Sequence, residues 1–101
     1  MAEVIWTEPA LAQLQAILEF IALDKQEAAE AVATRVFAIT DRLASFPKLG
    51  RSIPEFPHRD YRQLGARPCW LYYRIEEGRA IILHVCRAEQ LFRTEELSEA
   101  E

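Results

Sequence analysis

The chain has 101 residues and a formal net charge of −4 at pH 7, which fits a single domain spanning residues 1–101. Half of the residues are hydrophobic, too many for a disordered chain, and no run reaches the roughly 18 apolar residues that cross a membrane. The N-terminus has no basic region before an apolar stretch, and the two cysteines have no metal-ligand spacing. We therefore expect a cytoplasmic protein without a signal peptide, a metal site or a cofactor.

The basic residues are concentrated in the second half of the chain. Residues 1–47 carry three basic and seven acidic groups, and residues 48–93 carry nine basic groups, eight of them arginine, against five acidic ones. The tail, residues 94–101, adds four glutamates. A basic segment on an acidic chain is a plausible site for an anionic partner. We interpret the tail as a solvated end, and the alternative is that it competes with the anionic partner for the basic segment.

Residues 3–6 predict a short edge strand, and two helices follow. Thr7 is a natural N-cap with Pro9 in the first turn, and apolar residues at helical spacing predict a helix over residues 8–23. Asp24 and Glu27 have the spacing of a capping box that opens a second helix, which Pro47 ends. Because the connector is so short, the helices should form an antiparallel hairpin.

The second half predicts an antiparallel sheet. A Pro/Gly-containing loop over residues 48–59 precedes candidate strands at 60–65, 69–76 and 79–87, with Glu77 and Gly78 as the turn of the last hairpin. A short helix over residues 89–97 ends the chain. The predicted fold is therefore α+β, in the order β-α-α-β-β-β with a C-terminal helix.

A two-residue turn fixes a register for the last hairpin. It pairs Tyr73 with Ile82 and Arg74 with Ile81, and further along it pairs Trp70 with Val85 and Cys69 with Cys86. Alternation then divides the side chains between two faces. We expect the helices to cover one face, and the other to form a binding groove lined by arginine and aromatic side chains. One face carries Trp70, Tyr72, Arg74, Ile81, Leu83, Val85 and Arg87, and the other carries Leu71, Tyr73, Ile75, Ala80, Ile82 and His84.

The order of these elements and several short motifs resemble the RelE/ParE superfamily of toxins from bacterial type II toxin–antitoxin modules, often labelled plasmid stabilisation proteins. The motifs are Trp6-x-x-Pro9-Ala10, Phe46-Pro47-x-x-Gly50-Arg51, Pro54-Glu55, Tyr61-Arg62-x-Leu64, Tyr73-Arg74-Ile75 and Ile82-Leu83-His84-Val85-x-Arg87. The resemblance implies an antitoxin partner that wraps the toxin. It also implies one of two targets: DNA gyrase in the ParE-like branch, or messenger RNA on the ribosome in the RelE-like branch.

Chemistry favours the ParE-like branch. Metal-free RNA cleavage needs a base, an acid and cations around the phosphate. The RelE-like branch typically has a tyrosine near its C-terminus, whereas here the last tyrosine is Tyr73 and the only later aromatic is Phe92, which has no proton to give. The negative net charge also disfavours a ribosome binder. The alternatives kept open are a RelE-like nuclease and a non-toxic, antitoxin-binding member, and free homodimers or heterotetramers with the antitoxin are both compatible with the sequence.

The candidate site residues follow from these alternatives. In a nuclease, the cations would be Arg51, Arg62, Arg74 and Arg87, with His58 or His84 as acid or base. In either branch, the partner-binding candidates are Arg62, Trp70, Tyr72, Arg74, Arg87 and Phe92. Each has a structural alternative: a satisfied histidine within a strand, an ordinary loop residue, a surface ion pair or a core aromatic.

Overall fold

The computed structural model describes residues 1–89, which form one five-stranded sheet with a helical hairpin on one face. The elements in chain order are β1 (Glu3–Trp6), α1 (Glu8–Ala22), α2 (Gln26–Asp41), a 3₁₀ turn (Arg42–Ala44), β2 (Arg51–Ser52), β3 (Tyr61–Ala66), β4 (Cys69–Glu76) and β5 (Arg79–Arg87). The strand order is β1-β5-β4-β3-β2. The α+β class and the order of the main elements are confirmed, while the predicted C-terminal helix lies outside the described residues.

Strand β1 lies at the sheet edge, as predicted, and pairs parallel to β5, whereas the other strand pairs are antiparallel. Thr7 connects β1 to α1. Its hydroxyl accepts a hydrogen bond from the Ala10 N–H at 3.3 Å and donates one to the Ile82 carbonyl at 2.8 Å. The predicted N-cap is therefore present, and the same side chain ties the start of α1 to β5.

The predicted start of α2 is wrong. Asp24 still belongs to the turn that closes α1, since its N–H donates to the Ile21 carbonyl at 3.1 Å. Helix α2 begins at Gln26 with Lys25 as its N-cap, and no side chain of residues 1–89 caps it. The capping-box spacing of Asp24 and Glu27 therefore has no structural counterpart, because the end of α1 already uses Asp24.

The core lies between the helical hairpin and the sheet. Its largest fully buried side chains include Tyr73, Leu43, Leu71 and Ile82. A second, smaller cluster lies on the opposite face of the sheet and contains Tyr61, Tyr72, Ile81, Leu83 and Cys86, with Ile5, Ile53 and Phe56 packed against it. Both faces are therefore apolar at their centres, in agreement with the unbroken apolar run that β5 shows in the sequence.

The β4–β5 hairpin follows the predicted register only near its turn. Glu77 and Gly78 have φ angles of 51° and 75°, as a two-residue turn of this kind needs, and the pairs Tyr73–Ile82 and Arg74–Ile81 are confirmed. Between Tyr72 and Tyr73 the register shifts by one. Because Ile82 pairs with Tyr73 and His84 with Tyr72, Leu83 is the extra residue of a β-bulge.

The bulge corrects two predicted pairs. Trp70 faces Cys86 rather than Val85, and Cys69 faces Arg87 rather than Cys86. Cys69 belongs to the core beneath the helices, while Cys86 belongs to the cluster on the other face. The two thiols therefore lie on opposite faces of the sheet, and they cannot form the disulfide that the predicted pairing allowed.

The predicted loop over residues 48–59 contains a two-residue strand, β2, which pairs with β3 through Arg51–Gln63 and Ser52–Arg62. The start of this loop is tied to the core. The buried Tyr73 hydroxyl donates to the Pro47 carbonyl at 2.7 Å and accepts from the Gly50 N–H at 2.8 Å. Gly50 is required here, because a Cβ would lie 2.7 Å from Tyr73 Cε1. In residues 1–89, no helix has both the length and the hydropathy of a membrane span.

Candidate functional site

The face of the sheet opposite the helices carries a connected set of polar side chains. Arg51 Nη2 donates to Gln63 Oε1 at 2.9 Å, and Gln63 Nε2 donates to the Tyr72 hydroxyl at 2.9 Å. The three side chains line a cavity of about 460 Å³, together with residues 52–55. A guanidinium and a phenol beside an open cavity can contact an anionic or polar group. Of the predicted cations, Arg51 is thus the one that lines this cavity.

The Arg62 side chain forms hydrogen bonds within its own chain. Its Nε donates to Asp60 Oδ1 at 2.9 Å, and its Nη1 donates to the Gly50 carbonyl at 2.8 Å. Arg62 pairs with Tyr73 across the strands, so both side chains lie on the helix-covered face and hold the same loop. The structure therefore places this predicted partner-binding and catalytic candidate away from Arg51 and the cavity.

Arg74 and Arg87 lie on different faces, contrary to the predicted alternation. Arg74 pairs across the sheet with Tyr61 and Ile81 and forms an ion pair with Glu76 at 3.1 Å. Arg87 follows the bulge, so it lies on the helix-covered side, with its guanidinium 4.2 Å from the centre of the Phe20 ring. The bulge also moves Val85 to the helix-covered core and His84 to the face of Tyr72.

His84 is positioned by helix α1. Gln13 Oε1 accepts from the Val85 N–H at 2.8 Å, which fixes the orientation of the Gln13 amide. Its Nε2 then donates to His84 Nδ1 at 3.1 Å. The Gln13 amide can donate to Nδ1 in the tautomer of His84 that carries its proton on Nε2. Strand β1 pairs with residues 79–82 of β5. Beyond them, Gln13 provides the acceptor that a neighbouring strand would otherwise offer to the Val85 N–H.

His58 lies in the exposed loop over residues 53–60. It lines a shallow cavity of about 410 Å³ with residues 52–54, 56, 57, 59 and 60. The loop is packed onto the sheet by Phe56, whose ring meets the Tyr61 ring edge-on with centroids 4.6 Å apart. His58 therefore lines a different cavity from that of Tyr72, the strand partner of His84.

The aromatic candidates differ in their exposure. Trp70 is 38% exposed and lies over Gly65, while Tyr72 is only 4% exposed. Phe92 lies outside the described residues. Of the predicted partner-binding aromatic residues within residues 1–89, Trp70 thus has an accessible ring and Tyr72 does not.

The helical hairpin carries a groove on its outer surface that the sequence pattern did not predict. Leu11 is 44% exposed and Phe37 is 41% exposed, and they line an apolar groove of about 550 Å³ between α1 and α2. Small side chains give the groove its depth: Ala22, Ala29 and Ala33. The signal was present in the sequence as two alanines at helical spacing on α2, Ala29 and Ala33.

Two groups in the core have shifted pKa values. Burial raises the pKa of the Cys69 thiol, and the nearby Glu89 carboxylate adds to this effect. Burial also raises the pKa of the Tyr73 phenol, although the hydrogen bond from the Gly50 N–H opposes the shift. Both groups are therefore neutral at physiological pH and act in packing and hydrogen bonding. Over residues 1–89, no group of three or more His, Cys, Asp or Glu side chains has the arrangement of a metal site.

Comparison with known proteins agrees with this fold. A family model described as "ParE toxin of type II toxin-antitoxin system, parDE" matches residues 4–92. Toxin RelE2 of Caulobacter vibrioides is 33% identical over 92 residues, covering 90% of this chain and all of that protein. A chain in the solved "Chromosomal ParDE TA system from P. aeruginosa" superposes with a TM-score of 0.70 at 25% identity, covering 86% of this chain and 96% of that one.

The fold is thus that of a small toxin from a toxin–antitoxin module. The chain belongs to the ParE toxin family of type II toxin–antitoxin systems, within the RelE/ParE superfamily. The resemblance stated from the sequence motifs is confirmed.

Proposed function

We propose that this protein inhibits DNA gyrase and is neutralised by a cognate antitoxin. The observation that carries the proposal is the separation of the candidate catalytic cations. Arg62 and Arg87 lie on the helix-covered face of the sheet, whereas Arg51 and Arg74 belong to the opposite face. Cleavage of RNA needs cations that converge on one phosphate, together with an acid and a base. An inhibitor that acts by binding needs no such convergence.

The antitoxin is proposed to dock in the groove between α1 and α2. The groove is apolar and open along the helices, which is the shape that accepts an amphipathic helix. Its charged lining residues are Glu19 and Glu30, so a partner helix with basic residues beside its apolar face fits best. The likeness to a chain of a solved ParDE toxin–antitoxin system supports an antitoxin as the partner.

Groove variants would test this docking mode. Ala33→Arg places a long charged side chain in the groove and should weaken antitoxin binding by at least about tenfold. Ala38→Arg, on an exposed position of the same helix, is the matched control because residue 38 does not line the groove. Equal binding of the two variants in calorimetric titrations would contradict docking at this groove.

One observation favours a second candidate function, ribosome-dependent cleavage of messenger RNA. Arg51, Gln63 and Tyr72 form a hydrogen-bonded set beside a cavity of about 460 Å³, and a phenol and a guanidinium are groups that such cleavage uses. Under this alternative, Arg51→Ala and Tyr72→Phe would each abolish cleavage. Under gyrase inhibition, neither substitution affects a chemical step.

Pulse labelling after induction of this chain in a bacterium separates the two functions. We expect DNA synthesis to stop first, with induction of the DNA-damage response, because inhibited gyrase blocks replication. Early loss of protein synthesis together with cut messenger RNA would instead establish the nuclease function. A chain that changes neither rate would be the non-toxic, antitoxin-binding member of the family.

A further inference from the structure

Phe46 occupies an unusual position at the end of the helical hairpin. It follows the 3₁₀ turn, its side chain is 58% exposed, and the Arg42 guanidinium lies 5.9 Å from the centre of its ring. A single exposed apolar residue is ordinary in a protein. The surroundings of Phe46 are what distinguish it.

The backbone that follows Phe46 is held from inside the protein. Tyr73 binds the carbonyl of Pro47 and the N–H of Gly50, and Arg62 donates to the Gly50 carbonyl. Arg62 also reaches the Lys48 carbonyl at 3.4 Å. Two interior side chains thus fix the loop, while Phe46 and Lys48 point outward. A surface presented on a fixed backbone loses little conformational entropy when a partner binds.

The outward-facing side chains form a concave, positively charged surface. A cavity of about 560 Å³ is lined by Arg42, Phe46, Pro47, Lys48 and Leu49. Both charged lining residues are cations. The groove between α1 and α2 has the opposite character, since Glu19 and Glu30 are its charged lining residues. The two surfaces therefore select partner segments of opposite charge, and the basic surface is distinct from the groove proposed for the antitoxin.

We propose that Arg42, Phe46 and Lys48 form a docking surface for an acidic protein segment. In this arrangement an apolar side chain of the partner packs against the Phe46 ring, and its carboxylates pair with Arg42 and Lys48. Exposed aromatic residues supply the anchoring energy at such interfaces, while flanking cations set the rate of association and the choice of partner.

A peptide titration tests the surface directly. The probe is a short peptide of glutamates with a central pair of leucines, added to the ¹⁵N-labelled full chain. We expect amide shifts at Phe46, Lys48 and Leu49, with an affinity that falls as salt is added. Shifts confined to other regions would overturn the proposal.

Charge reversals supply the matched control. Arg42→Glu with Lys48→Glu should weaken peptide binding at least about tenfold. Lys25→Glu with Arg67→Glu changes the net charge by the same amount at exposed positions outside this surface and should leave binding intact. Equal losses in the two double variants would show attraction by overall charge and would overturn the docking surface. Phe46→Ala should also weaken peptide binding. Leu23→Ala, which removes another exposed apolar side chain, should leave peptide binding intact.

A growth assay extends the test to cells, and this step rests on the proposed function. If the wild-type chain arrests growth, the Arg42→Glu/Lys48→Glu variant should lose the arrest, and the Lys25→Glu/Arg67→Glu variant should keep it. Thermal melting confirms that both variants fold. Full arrest by the first variant would overturn a role for the surface in target binding. A wild-type chain that does not arrest growth would refute the proposed function, and the peptide titration would then decide the docking surface by itself.

Discussion

The two faces of the sheet are organised by different interactions. On the helix-covered face, a large core packs around Tyr73, whose hydroxyl ties the loop at Pro47 and Gly50 to the sheet. On the opposite face, a smaller apolar cluster lies beside the polar set of Arg51, Gln63 and Tyr72. The first face thus has the larger packed core, while the second combines a smaller core with a hydrogen-bonded polar set beside an open cavity. We expect substitutions to be costly on the first face and tolerated on the second.

Gly50→Ala should produce the largest loss of stability. The new Cβ would lie 2.7 Å from Tyr73 Cε1 and 2.8 Å from the Gln63 carbonyl oxygen, and neither atom can move aside, since one belongs to a buried ring and the other to the backbone. We expect the free energy of unfolding to fall by about 3 kcal/mol. Urea denaturation measures the change, and a loss below about 1 kcal/mol would contradict the tight packing of this loop.

Tyr73→Phe should come next. Removing the hydroxyl leaves the Gly50 N–H without its hydrogen bond, which costs about 1–3 kcal/mol. The pH profile provides a second readout. Because burial raises the folded-state pKa of this phenol above its ordinary value of 10.0, its contribution is fully present below pH 10 and is lost as pH rises through the folded pKa. The wild type should therefore lose more stability above pH 10 than the variant, and equal alkaline losses would argue against a buried phenol.

Gln13→Ala should have an intermediate effect at the boundary between the two faces. The substitution removes the acceptor of the Val85 N–H and the donor to His84 Nδ1. We expect a loss of about 1–2 kcal/mol, with faster hydrogen exchange at the Val85 amide. Gln15→Ala is the control, because within residues 1–89 the Gln15 side chain bonds with exposed Glu19 of the same helix at 3.3 Å. Similar losses in the two variants would show that the effect comes from the helix alone.

Gly65→Ala should have the smallest effect. A Cβ here would lie 3.1 Å from Trp70 Cζ3, close to a ring that is partly exposed and able to shift. We expect a change within about 0.5 kcal/mol, far from the value for Gly50→Ala. A loss comparable to that of Gly50→Ala would show that the opposite face is as tightly constrained as the helix-covered one, and the comparison between the faces would fail.

The sequence predicted the elements that local chemistry determines. Thr7 with Pro9 marked the start of α1, and Glu77-Gly78 fixed the hairpin register as far as Tyr73 and Ile82. The bulge at Leu83 could not be seen, because the apolar run of β5 reads the same in either register. Because the predicted register lacked the bulge, it placed Arg87 and Val85 on the wrong face. It also paired Cys69 with Cys86, which lie on opposite faces of the sheet.

The candidate site was less predictable than the fold. An arginine in a sequence carries no sign of whether it binds a partner or its own loop, and the interior role of Arg62 depends on the carbonyl of Gly50, twelve positions away in the chain. The groove on the hairpin was hidden for a related reason. Helical periodicity groups Leu11 with the other apolar residues of α1, whereas only the packing of α1 against α2 shows that Leu11 stays exposed.

A supercoiling assay with the purified chain tests the proposed inhibition of DNA gyrase most directly. We expect the protein to block supercoiling of relaxed plasmid by DNA gyrase in proportion to its concentration, and Arg51→Ala and Tyr72→Phe variants to block it equally well. Unchanged supercoiling at saturating protein, together with cleavage of messenger RNA on added ribosomes that either substitution abolishes, would contradict the account.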